Sequence, residues 1–340
     1  MTNQTVSRLG QINAAGDDRQ MFLKQYAGEV LTAYHQANIF KGMHRTRTIS
    51  NGKSASFPLV GTAVAKYHTP GEFIKGDQIK HGERVVTIDD LLISSQFIAN
   101  IDEAMNHYDV RSIYSKEAGM ALADTYDRNV ARIIAKGGMI DNATKAAAQF
   151  GTAFDDDVYT TPTQIGTKAG DALDGDKIAK AIQDTVTQMV SKNIIRDGSE
   201  VTCVLAPAQY YSLMDVSGTS KLVFLDRDFG GEGSVATGAM PRVAGVRIYM
   251  SNSIPMTNET SKLVGDAEPI TASRADAYRG DYSKVRGLIF TKDAAATVQL
   301  MDLGVESEYQ ISRQGTLMVA KYAVGHNILR PECSVPLLAV

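Results

Sequence analysis

The chain has 340 residues, with 35 Lys and Arg against 38 Asp and Glu, for a formal net charge of −3. That near-balance argues against a nucleic-acid binder that grips phosphates through a broadly basic face. Hydrophobic residues make up 44%, enough for a sizeable core, yet no apolar run approaches the ~20 residues of a membrane span.

The N-terminal residues Met1–Gly10 are polar and lack the apolar centre of a signal peptide. Cys203 and Cys333 stand far apart, so no disulfide framework or cysteine zinc site is expected, and a reducing cytosol is the expected birthplace. Asp17 and Asp18 precede Met21, Phe22, Tyr26, Val30 and Tyr34, spacings that predict a short helix. Over residues 45–97 the pattern turns to strands. Runs at 48–50, 55–61, 63–67 and 85–88 are broken by Asn51-Gly52, Thr69-Pro70-Gly71-Glu72 and Lys75-Gly76-Asp77. An extended β-hairpin arm is expected, and Lys41–Arg84 carries an excess of five positive charges.

Residues 101–136 give the strongest helical period. Val110, Ile113, Tyr114, Ala118, Ala121, Leu122, Val130, Ile133 and Ile134 share a stripe, Asp109 is the expected cap and Gly137-Gly138 the stop. Over 102–128 six acids (Asp102, Glu103, Asp109, Glu117, Asp124, Asp127) outnumber Arg111, Lys116 and Arg128. Residues 139–176 read as a loop. A second helix capped near Asp176 turns Ile178, Ala181, Ile182, Val186 and Met189 or Val190 inward. Val201–Leu205 reads as a buried strand, and Pro207 opens the helix 208–214. After a glycine-rich loop at 216–241, strands are predicted at 243–250, 284–291, 296–303, 307–312 and 316–324.

The chain offers little chemistry. Phe229-Gly-Gly-Glu-Gly-Ser234 imitates a dinucleotide fingerprint but lacks the helix that should follow. Six histidines are scattered without metal-ligand spacing, and neither a phosphate-binding loop nor a nucleophile elbow occurs. No enzyme activity, cofactor or metal is expected. An α/β enzyme built on residues 230–238 is the weakest reading.

Several segments resemble the major capsid proteins of T7-like short-tailed phages. They include Ile49-Ser-Asn-Gly-Lys-Ser-Ala-Ser-Phe-Pro58, Pro70-Gly-Glu72, Ile88-Asp-Asp-Leu-Leu92, Ile101-Asp-Glu-Ala-Met-Asn-His-Tyr-Asp-Val-Arg-Ser112, Ala320-Lys-Tyr-Ala-Val-Gly-His326 and Leu329-Arg-Pro-Glu332. The likeness covers roughly residues 15–135 and 284–332 and is weaker over 139–175 and 215–275.

The resemblance implies an α+β chain with the HK97-like phage capsid fold. Residues 1–44 would be the N-terminal arm, and 45–97 the extended loop and its flanking strands. Residues 98–175 would be the peripheral domain with its spine helix, 176–290 the axial α/β domain and 291–340 the returning peripheral strands. It implies self-assembly as hexamers and pentamers around double-stranded DNA, within a host bacterial cytoplasm and then the virion. The implied partners are a separate scaffolding protein and a portal at one vertex, with no membrane; whether a decoration protein binds outside is left open by the sequence. Because only about 15 residues precede the arm helix, a fused scaffold removed by proteolysis is not expected, and neither is a Lys–Asn cross-link. An encapsulin-like compartment is the alternative. Contacts between copies are expected at Phe22, Arg45, Arg47, Lys53, Phe57, Tyr67, Lys75, Lys80, Glu103, Asp109, Glu117 and Asp124, the basic loop lying on a neighbour's acidic helix.

Overall fold

A computed structural model describes residues 38–60, 63, 65–74, 76, 79, 81–99, 101, 111–140, 160–168, 170–213, 242–261, 263 and 276–340. The predicted arm helix, the Asp109 cap and the glycine-rich loop lie outside these residues. In chain order the strands β1 (Arg45–Thr48), β2 (Ser54–Val60), β3 (His81–Thr87) and β4 (Leu92–Ala99) precede helix α1 (Arg111–Gly138). Then come β5 (Thr163–Gln164), α2 (Gly175–Ser191), β6 (Thr202–Leu205), α3 (Pro207–Leu213), β7 (Arg247–Met250) and β8 (Val285–Phe290). The chain closes with β9 (Ala295–Gln310), β10 (Gly315–Ile328) and β11 (Ser334–Leu338).

Helix α1 has 28 residues, about 42 Å at 1.5 Å per residue. Ala118, Leu122, Val130, Ile133 and Ile134 are buried as their spacing predicts, whereas Ala121 is exposed. Towards its C-terminus the helix is buried on all sides, because both main sheets pack on it. Gly137 and Gly138 do more than stop it. A Cβ at Gly138 would lie 2.3 Å from Pro336 Cδ and 2.8 Å from Ser334 O, so the glycine admits β11. Ser334 Oγ then donates to Ile134 O at 2.6 Å.

The five-stranded sheet runs β5-β11-β8-β6-β7. Alternation sends Val204, Leu288 and Phe290 towards α1, while Cys203, Leu205, Ile289, Val335 and Leu337 pack with α2. Both faces are thus covered, which explains why these strands read as apolar runs. Helix α2 is capped by Asp174, whose Oδ1 accepts from Asp176 N at 3.0 Å, two residues before the expected position. Ile178, Ala181, Ile182, Val186 and Met189 face the sheet, and Val190 is exposed.

The four-stranded sheet runs β1-β9-β10-β4. The two runs expected at 296–303 and 307–312 form the single 16-residue strand β9. β10 pairs across Gly304, with Ala320 opposite Val305, Lys321 opposite Gly304 and, after a register shift, Ala323 opposite Met301. Likewise the strand expected from Val243 begins only at Arg247, because Ala244 and Gly245 take positive φ in a turn closed by Val246 N donating to Val243 O at 2.9 Å.

Strands β2 and β3 form the predicted hairpin, in register from Ser54 opposite Thr87 to Val60 opposite His81. Ala55, Leu59, Val86 and Ile88 make a small core with Ala296, Val298, Ala323 and Leu329. The described residues of the run 63–67 are not strand, since β3 begins at His81 and offers them no ladder partner. Among the described residues no helix is long and apolar enough to cross a membrane.

Candidate assembly surface

Beyond the hairpin, the chain from Ala65 to Ile74 is exposed throughout. Tyr67 is fully exposed, and Phe73 and Ile74 are 93% and 84% exposed. The charges nearer the hairpin root behave differently. Arg45 forms a bidentate pair with Asp293, its Nη2 lying 3.2 Å from Oδ2. Arg47 Nη1 donates to Ser56 O at 2.9 Å. Arg84 is half-buried, donating to Ile328 O at 3.1 Å and Asn327 Oδ1 at 3.0 Å. Three guanidinium groups of the basic arm therefore serve their own chain. Lys53 is exposed and Phe57 is half-buried against the small core.

The acidic side contracts as well. Glu117 is exposed, but Asp124 accepts from Arg128 at 2.6 Å and from Ser253 Oγ at 3.2 Å. Asp127 is buried and clamps the chain ahead of β1, accepting from Ile39 N at 2.7 Å and Phe40 N at 3.2 Å. Burial pushes this carboxyl up to about 7, opposed by those two N–H donors. Phe22, Lys75, Lys80, Glu103 and Asp109 lie outside the described residues. Arg45 and Arg47 lie on β1, Lys53 directly before β2 and Phe57 within it, Tyr67 on the loop beyond β2, and Glu117 and Asp124 on α1.

The same chain segment is fixed a second time by a buried polar row. His44 Nδ1 lies 3.0 Å from Phe40 O and must donate to it, which leaves Nε2 to accept from Thr297 Oγ1 at 2.7 Å. Thr297 has then used its proton, so His326 Nδ1, at 2.7 Å, donates to it. Burial lowers His44 to about 4, so this imidazole is neutral at ordinary pH. Phe40 closes the anchor by stacking on Phe290, centroids 6.0 Å apart.

Sequence reasoning missed Phe73 and Ile74, although an apolar pair directly after a Pro-Gly turn in a polar loop is a usable signal. It also missed Arg132 and Glu259, a fully buried pair 2.8 Å apart that ties α1 to the chain ahead of β8. Long-range pairs of this kind leave no local pattern.

A concavity of about 750 Å³ lies between the start of β1, the C-terminal end of α2 and the turn 291–293. Its wall is mixed in charge, with Arg45, Lys192, Lys292 and Arg330 facing Glu200, Asp293 and Glu332. Cys203 and Cys333 are buried, and burial pushes the Cys333 thiol up to about 12, far from a reactive thiolate. Among the described residues no three His, Cys, Asp or Glu side chains are placed to hold a metal.

Comparison with known proteins agrees with this picture of a scaffold that projects a loop. The family model described as "Gp10A-like: Major capsid protein" matches residues 56–338. The chain is 30% identical to the major capsid protein of Escherichia phage T7 over 345 residues, covering 94% of this chain and 92% of that protein. It is 30% identical to the major capsid protein of Enterobacteria phage T3, covering 96% and 93%. The capsid structure of cyanophage P-SCSP1u shares 39% identity and a TM-score of 0.71, covering 100% of this chain and 99% of that one. The expected HK97-like fold is thereby met by a phage capsid chain of matching length. On the family match, the relatives and the solved neighbour together, the chain belongs to the Gp10A-like family of major capsid proteins.

Proposed function

We propose that this chain assembles as hexamers and pentamers into an icosahedral shell that encloses double-stranded phage DNA. A separate scaffolding protein directs assembly, a portal occupies one vertex, and the shell expands on maturation. Assembly takes place in the host bacterial cytoplasm without a membrane, and the chain carries out no catalysis and needs no cofactor. The observation that carries the reading is the likeness to phage major capsid proteins along nearly the whole chain. The projecting loop supports it, because an element with so little cover from its own chain suits contact with another copy.

The proposed division is 1–44 as arm, 45–97 as extended loop, 98–175 and 291–340 as peripheral domain and 176–290 as axial domain. Strands β5 and β11 lend themselves to the sheet of the 176–290 segment. The near-neutral charge suits a container whose wall does not grip phosphates. A cellular compartment of the same fold is the second reading, and the T7 and T3 relatives favour the phage shell.

Electron microscopy of the purified chain, with and without a co-expressed scaffolding protein, tests the proposal. Uniform closed shells with the scaffold and aberrant assemblies without it are expected. A chain that stays monomeric in both conditions would overturn shell formation. Uniform shells at high yield from the chain alone would remove the scaffold from the scheme.

A further inference from the structure

The loop between β2 and β3 carries a built feature that its charges do not explain. Glu72 N donates to Thr69 O at 3.2 Å, and Gly71 has φ +97°. Proline at the second position and a positive-φ glycine at the third make Thr69-Pro70-Gly71-Glu72 a type II turn. The proline ring restricts the chain before any contact forms, so the turn is largely set in advance. Directly beside it stand Tyr67, Phe73 and Ile74, all 84% exposed or more. Two such aromatic side chains alone present roughly 300–500 Å². Exposed apolar patches of that size mark interaction sites, and aromatic anchors carry much of the binding energy at interfaces.

The arginines near the hairpin root are held within the chain. Arg45, Arg47 and Arg84 are engaged by Asp293, Ser56 O, Ile328 O and Asn327. Exposed ion pairs contribute little even where they form. We propose that the turn is a preorganised apolar anchor. Tyr67, Phe73 and Ile74 become buried against a second copy of this chain and supply most of the loop's hold on it, while charge only steers the approach. The inference rests on the reading that the loop lies across a neighbouring copy. A second copy is the occupant because the chain belongs to a family of major capsid proteins, in whose shells copies of one chain are the constant neighbours.

The test is assembly of the full chain with its scaffolding protein, followed by light scattering across protein concentration at low and high salt. The double variant Phe73→Ser/Ile74→Ser is expected to raise the concentration needed for half-assembly by roughly tenfold or more at both salts. Phe73→Leu should restore most of the loss. Because both side chains are exposed, far-UV circular dichroism and the unfolding temperature of the unassembled chain should match the parent. A loss confined to one salt condition would assign the hold to charge and overturn the proposal.

Glu72→Cys carrying a photo-crosslinker separates this inference from the reading beneath it. Cross-links between copies, together with normal assembly of the serine variant, would overturn the apolar anchor and leave the loop lying on its neighbour. Absence of cross-links in closed shells would overturn both.

Discussion

Arg132 and Glu259 are 1% and 3% exposed and 2.8 Å apart, so each charge depends on the other for its solvation. Asn129 Oδ1 accepts a further bond from Arg132 at 2.8 Å, and Thr257 Oγ1 donates to Glu259 at 3.3 Å. Removing one partner leaves an uncompensated buried charge, whereas removing both leaves none. Arg132→Met should therefore lower stability by about 3–5 kcal/mol. Arg132→Met/Glu259→Leu should recover a large part of that in urea unfolding. An equal or greater loss in the double variant would show that the pair itself, and not the stranded charge, was the stabilising element. His44 and Asp127 form a second residue-level pair of opposites. His44 is depressed from 6.5 to about 4, so its folded form resists protonation. Its contribution is complete above pH 6.5 and is lost as pH falls towards 4, up to about 3 kcal/mol. Asp127 is raised from 3.8 to about 7, so its contribution is best at low pH and is lost as pH climbs from 4 to 7. The two slopes oppose each other between pH 4 and 6.5. The parent should show a shallow pH dependence of stability there, and Asp127→Asn should expose a steep acid destabilisation. Parallel curves for parent and variant would refute this coupling.

At the scale of elements, the small residues decide how closely pieces approach. Gly325 lies within a segment that resembles the phage capsid pattern, and the fold shows why a side chain is excluded there. A Cβ would fall 2.1 Å from Thr87 O and 2.7 Å from Ile88 Cα. Asp89 N also donates to Val324 O at 3.0 Å across the same crossing. Gly325→Ala must therefore push the hairpin base off β10, at a cost of about 1–3 kcal/mol. Protease cleavage between β2 and β3 should quicken in step with the loss of stability. Unchanged stability and cleavage would mean the backbone yields at that crossing without strain. The elements themselves were largely legible. The apolar period of α1, the inward stripe of α2 and the hairpin register of β2 with β3 are local patterns. What misled was punctuation. The two runs read at 296–303 and 307–312 are one strand, because β10 pairs on from Val305 and Gly304 to Met301, with a register shift between Gly304 and Met301. The described residues of the run 63–67 looked like a strand and are not one, because β3 offers them no partner opposite.

For the whole molecule, folding engages part of the charge from which docking between copies was expected. An arm with five excess positive charges facing an acidic helix suggested electrostatic docking. Folding spends Arg45, Arg47 and Arg84 on their own chain and buries Asp127 inside it. Among the described residues expected at contacts, Tyr67 stands fully exposed on the loop, with Phe73 and Ile74 beside it. The near-neutral total of −3 is a property of composition that folding cannot alter, and it suits the proposed DNA container. By itself the sequence determined the class of fold, the order of its elements and the family, because periodicity, turns and shared segments are carried by neighbouring residues. Only the tertiary structure decided which charges remain available, which glycines are contact points and which apolar side chains are left in water. Each of these depends on groups brought together from distant parts of the chain, and burial has no local signature.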